Sequence, residues 1–65
     1  MRHNLKKARQ NAGMTQQQVA DYLEISEQYY QSLEYGKKIG RIELWDKLED
    51  LFGIHQRTLR EIREE

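Results

Sequence analysis

The stretch Gly13-Met14-Thr15-Gln16-Gln17-Gln18-Val19-Ala20-Asp21-Tyr22-Leu23-Glu24-Ile25-Ser26, continued by Glu27-Gln28-Tyr29-Tyr30-Gln31-Ser32-Leu33-Glu34-Tyr35-Gly36, decides the fold. It holds two short amphipathic segments three residues apart, each opened by a hydroxyl residue suited to cap a helix. Thr15 with Gln18 three positions later makes a capping-box pattern, and Ser26 can cap the second segment. Neither segment can bury its apolar side alone. Together they read as a helix-turn-helix whose second helix is rich in amide and tyrosine side chains, groups able to hydrogen-bond base edges.

Outward from this pair the chain reads as helical throughout. Proline is absent and no run alternates β-branched residues in the manner of a strand, so an all-α fold is expected. A first helix is predicted from about Asn4 to Ala12, with Leu5, Ala8 and Ala12 on one face and Gly13 as its stop. The central pair covers Gln16 to Leu23, burying Val19, Ala20 and Leu23, and Glu27 to Tyr35, with Tyr30 and Leu33 inward. Lys37-Lys38-Ile39-Gly40 is a linker. A fourth helix spans Ile42 to Phe52, burying Ile42, Trp45, Leu48 and Phe52, and a fifth runs from about Gln56 to Arg63 with Leu59 and Ile62 apolar. Ala20, small and mid-helix, lets the next helix cross closely at Tyr30 and Leu33.

Sixty-five residues make one domain, near the lower size at which a core stabilises a fold unaided. There is no cysteine, and His3 and His55 lack ligand-spaced partners, so neither a disulfide nor a metal site is expected, and no cofactor. No apolar run approaches membrane-spanning length and no signal peptide is visible, which reads as a cytosolic chain. No nucleophile–base–acid set or phosphate-binding glycine loop is present, so an enzyme is not expected. The net charge of zero is unevenly spread: residues 1–41 hold seven Lys/Arg against four acids, and residues 42–65 hold four against seven. That polarity suits a front half meeting phosphates and a back half facing solvent or a partner.

These residues together resemble the Cro/C1-type, or XRE, helix-turn-helix family. The resemblance runs from Leu5 to Leu59. It is carried by Leu5 and Arg9, the turn Gly13-Met14-Thr15-Gln16, Val19-Ala20 with Leu23, Ile25-Ser26, Leu33-Glu34-x-Gly36-Lys37-Lys38, Leu48, Phe52-Gly53-Ile54 and Leu59. It implies a compact four- to five-helix bundle of the lambda-repressor-like type over residues 1–65, binding double-stranded DNA as a dimer. Members include phage repressors, restriction–modification controllers, antitoxins and mobile-element regulators of the prokaryotic cytosol and nucleoid. Four positions depart from the family pattern: Glu24 for a turn glycine, Gly40 for a proline, Glu49 for a small buried residue and His55 for a hydroxyl cap. A left-handed Glu24 would cost roughly 1 kcal/mol. Gly40 would loosen the linker, and Glu49 would shift the packed face of the fourth helix.

The resemblance assigns Gln16 to a phosphate and to bracing the recognition helix, and pairs Arg9 with Glu34 as a structural tie. The competing role for Arg9 is direct contact with a phosphate, which an unpaired Glu34 near DNA disfavours. It points Glu27, Gln28 and Ser32 into the major groove. Chemically, Gln28 suits adenine, Glu27 a cytosine amine, and Tyr29, expected to be exposed beside them, a thymine methyl or a phosphate. Thr15, Gln16 and Gln17 at one helix N-terminus, with Ser26 at the next, are placed for phosphate. Tyr35, Lys37, Lys38 and Arg41 are candidates for the flanking backbone. Specific reading generally needs two half-sites, so a homodimer on an inverted repeat is expected, formed through Leu44, Leu51, Leu59 and Ile62 of the last two helices. The competing reading for Leu59 and Ile62 is closure of the monomer core. The competing function is a protein-interaction module of antitoxin or anti-repressor kind, which Glu24, Glu27 and the zero net charge favour.

Overall fold

Capping fixes where the two central helices begin. Thr15 Oγ1 accepts from the Gln18 amide at 3.1 Å while the Gln18 side chain accepts from the Thr15 amide at 2.8 Å, completing the capping box. Ser26 Oγ accepts from the Tyr29 amide at 3.1 Å. The computed structural model describes residues 1–62, in which five helices follow one another: α1 His3–Asn11, α2 Gln16–Leu23, α3 Glu27–Glu34, α4 Ile42–Phe52 and α5 Gln56–Arg60. There is no strand among the described residues.

α2 lies against α3, α1 packs on α5 and α3, and α4 on α5. One core of Leu5, Ala8, Val19, Ala20, Leu23, Tyr30, Leu33, Leu44, Trp45, Leu48 and Leu59 joins all five helices. Ala20 is fully buried, the small residue that the α2–α3 crossing requires.

The structure corrects several details of the sequence reading. α1 begins one residue earlier and ends at Asn11; Ala12 is its C-cap and is exposed, off the buried face. Tyr35 caps α3 and does not extend it. α5 ends at Arg60, and the Arg63 terminus predicted for it lies outside the described residues. Along α4 the buried face runs through Leu44, Trp45 and Leu48, leaving Ile42 61% exposed and Phe52 half-buried. The indole of Trp45 sets this rotation by donating Nε1 to the Ile39 carbonyl at 2.8 Å. Leu44 therefore belongs to the core, as does fully buried Leu59, and neither side chain is offered to a second copy. Ile62, half exposed, and partly buried Leu51 remain.

The linker is closed and not loose. Gly40 has φ +78°, and a Cβ there would sit 2.9 Å from Leu33 Cδ2 and 3.2 Å from Trp45 Nε1. Proline, held near φ −65°, cannot adopt this turn. Glu24 is left-handed at φ 59° and ψ 42°, the only non-glycine with positive φ among the described residues. Glu49 is accommodated half-buried, accepting from Gln56 Nε2 at 3.2 Å. His55 caps α5 through Nδ1, which accepts from the Arg57 amide at 3.0 Å.

Candidate nucleic-acid interface

The second helix of the pair is held by a polar network buried at its far end. Glu34 is fully buried, so its carboxylate requires donors. Arg9 Nε donates to Oε2 at 2.5 Å, Arg9 Nη2 to Oε1 at 3.4 Å, and Gln16 Nε2 to Oε1 at 3.2 Å. Arg9 also donates Nη1 to the Met14 carbonyl at 2.9 Å, which ties α1 to the turn before α2. Gln31 Nε2 completes the chain by donating to Gln16 Oε1 at 3.1 Å. The hydrogen bond to Glu34 is the largest influence raising the Arg9 pKa. Gln16 thus braces α3 from the first residue of α2, with one of its two N–H donors still unspent.

Tyr30 lies in the same layer. Its hydroxyl is buried without a hydrogen-bond partner, and burial, followed by the Glu34 carboxylate, pushes its pKa far up.

On the outer face of α3 the side chains are arranged differently. Of the five glutamines in α2 and α3, four commit their amides within the protein: Gln16 and Gln31 to the bracing network, Gln17 to Asp21 Oδ1 at 2.8 Å, and Gln18 to its cap. Gln28 is exposed and makes no such bond among the described residues. It borders a shallow depression shared with Ser26, Tyr29, Ser32 and Lys38. Ser32 donates its hydroxyl to the Gln28 carbonyl at 3.1 Å, and Lys38 Nζ stands 6.0 Å from the Tyr29 ring centre, within cation–π range. Glu27 occupies the first turn, half-exposed, where the helix dipole favours an acid. Tyr29 is half-buried against the core, while Tyr35, Lys37, Lys38 and Arg41 are all exposed around the end of α3 and the linker. Thr15, Gln17 and Ser26 are exposed at the N-termini of α2 and α3.

Arg2 is the residue that sequence reasoning missed. Counted there among the basic residues of the front half, it is 3% exposed. Its guanidinium donates Nη1 to the Leu33 carbonyl at 2.6 Å and to the Lys38 carbonyl at 2.8 Å, and Nε to the Arg60 carbonyl at 3.1 Å. The cation stands 5.1 Å from the Trp45 ring centre. Desolvation, and secondarily the charge of Arg60, lowers its pKa from the usual arginine value. A lone arginine before the first predicted helix carries no periodic signal, and its partners lie 31, 36 and 58 residues away in sequence.

With Arg2 and Arg9 internal among the cations, and Glu34 among the acids, residues 1–41 keep five outward cations against three acids. The linker, with Lys37, Lys38 and Arg41, is their densest cluster. Among the described residues no group of three or more His, Cys, Asp or Glu could hold a metal ion, and no helix is long and apolar enough to cross a membrane.

Comparison with known proteins gives one result of substance. A family model described as helix-turn-helix matches residues 5–59, spanning all five helices but for the ends of α1 and α5. Neither the curated proteins nor the solved structures provide a match.

Proposed function

This chain belongs to the Cro/C1-type (XRE) helix-turn-helix family of DNA-binding transcription regulators, and on that premise we propose that it is a sequence-specific repressor of phage or mobile-element type. The observation that carries the reading is Gln28: an exposed amide with no internal partner, on a helix held rigidly at its other end. A bidentate amide of this kind pairs with adenine N6 and N7 in the major groove. The eight-residue α3 is about 12 Å long, comparable to the groove's width. Glu27 and Ser32 flank Gln28, with Tyr29 beside the depression. Thr15, Gln16, Gln17 and Ser26 at the two helix N-termini, with Tyr35, Lys37, Lys38 and Arg41, meet the phosphates on either side.

Two copies on an inverted repeat would supply the specificity one module lacks. The dimer face we infer centres on Ile39 and Ile62, exposed apolar side chains that border one depression between the linker and α5. Such a regulator acts by occluding a promoter in the prokaryotic cytosol.

A protein-interaction module is the second reading, favoured by Glu27, an acid on the face that would meet phosphates. Fluorescence anisotropy against a random duplex pool, followed by sequencing of the bound fraction, separates the two. Enrichment of an inverted repeat, with affinity falling steeply as salt rises, establishes the operator-binding dimer. No binding by the folded protein at about 50 mM salt, where phosphate contacts are strong, moves the function to protein interaction.

A further inference from the structure

Three features of Arg2 set it apart from an ordinary buried arginine. Its hydrogen bonds go to backbone carbonyls that belong to three separate places: the last turn of α3, the linker and the last turn of α5. Its own amide donates to the Glu34 carbonyl at 2.7 Å, again at the end of α3. Its guanidinium faces Trp45, whose indole holds the carbonyl of Ile39 one residue beyond Lys38. The linker from Lys37 to Gly40 is thereby gripped at two successive carbonyls, while the Lys37 and Lys38 amides donate to the Ser32 carbonyl at 2.9 and 3.4 Å. Together these bonds set which way the two lysine side chains leave the backbone. The C-terminal ends of helices present partial negative charge, so a cation seated among them is stabilised without a carboxylate.

We propose that Arg2 is the positioning residue of the phosphate contacts: it makes no contact with DNA itself, but holds the α3–α4 linker against α5 so that Lys37 and Lys38 face the nucleic-acid backbone. The proposal rests on the DNA-binding reading. A guanidinium is required because it donates from Nε and Nη1, two nitrogens held apart in a planar fork, whereas an ammonium offers its donors from a single nitrogen. Loss of Arg2 releases the Lys38 carbonyl and the link to α5, leaving the linker held by the Lys37 and Lys38 amides on the Ser32 carbonyl and by Trp45 on Ile39. The two lysines are then aimed less firmly at the phosphates. Base reading by α3 is retained, because its bracing through Arg9, Glu34 and Gln16 is separate.

The test uses Arg2→Gln and Arg2→Lys in the full chain, each also placed in a Lys37→Ala/Lys38→Ala background. A labelled random-sequence duplex is the probe, titrated at several salt concentrations at a temperature where circular dichroism shows each variant folded. Arg2→Gln is expected to weaken binding about tenfold and to lower the salt slope by about one to two, the loss of two phosphate contacts. Arg2→Lys falls between it and the wild type. In the lysine-free background Arg2→Gln costs nothing further, because the positioned groups are gone. Unchanged affinity and slope in the folded variants, or a loss that adds fully to that of the lysines, overturns the proposal.

Amide spectra cover the remaining outcomes. Resonances of Lys37 to Ile39 and of Arg60 to Ile62 should both move in Arg2→Lys while that of Gln28 stays in place. A response on one side only overturns the link even if Arg2→Gln does not fold. The coupled response in Arg2→Lys, together with a folded wild-type protein that binds no duplex, refutes the DNA reading, and with it the role of Arg2 in phosphate contact.

Discussion

Two single residues put opposite kinds of strain into this fold. Glu24 adopts a left-handed conformation that only glycine takes without penalty, and its exposed carboxylate gains just a 3.9 Å approach to Lys47 in return. Glu24→Gly should raise stability by about 1 kcal/mol, several degrees in a thermal melt of a domain this size. A variant no more stable than the wild type would show the turn to be unstrained. Tyr30 buries a hydroxyl that makes no well-formed hydrogen bond, beside the Glu34 carboxylate. Glu34 keeps its Arg9 and Gln16 donors when that hydroxyl is removed, so Tyr30→Phe should be neutral or more stable by up to about 1 kcal/mol, where loss of a genuine hydrogen bond would cost that much. Alkali gives a second check. The Tyr30 pKa in the fold is raised above 10, so the unfolded chain loses this proton first and stability falls as pH climbs past 10. Tyr30→Phe should flatten that decline in denaturant titrations. Arg9→Ala acts in the reverse sense: it removes the main donor to the fully buried Glu34, at a cost of about 3 kcal/mol, and should lower stability first and DNA affinity second, as α3 loses part of its bracing.

Elements differ in how fully their local sequence specifies them. α2 and α4 have the boundaries that capping and periodicity predict, because Thr15, Gln18 and Gly53 act within one turn of the residues they stop or start. The rotation of α4 was not legible. Ile42, Trp45, Leu48 and Phe52 form a plausible stripe, yet the face actually buried is chosen by the Trp45 indole reaching back to Ile39, and by Gly40 folding the linker beneath it. That is tertiary information, and it moves Leu44 from a surface where a second copy could dock into the core. Gly40→Ala measures how firmly the linker is built. It asks for a left-handed alanine against Leu33 and should cost roughly 2 kcal/mol, read as a fall in midpoint at unchanged slope in urea. A milder effect would mean that Leu33 moves aside easily. In the candidate interface, sequence pattern placed Gln28, Tyr29 and Ser32 on one helix, but could not say which glutamine stays free, since that depends on four other side chains finding partners first.

At the scale of the whole molecule, neutrality hides an arrangement. Two arginines of the front half are drawn inside, so the outward cations concentrate at the linker, and the effect on binding should be read through salt. Lys37→Ala and Lys38→Ala, both remote from the core, should each lower the slope of log affinity against log salt by about one, leaving the sequence preference unchanged. A change in preference without a change in slope would place these lysines on bases and not on phosphates. The cage around Arg2 has a consequence of its own. Its acceptors are peptide carbonyls, which bind no proton anywhere in the range where proteins survive, and Arg2 is 3% exposed. An anchorage built this way answers only weakly to the acidity and ionic strength of its surroundings. The molecule can therefore let its grip on a polyanion rise and fall with the medium while the frame that aims that grip keeps one shape.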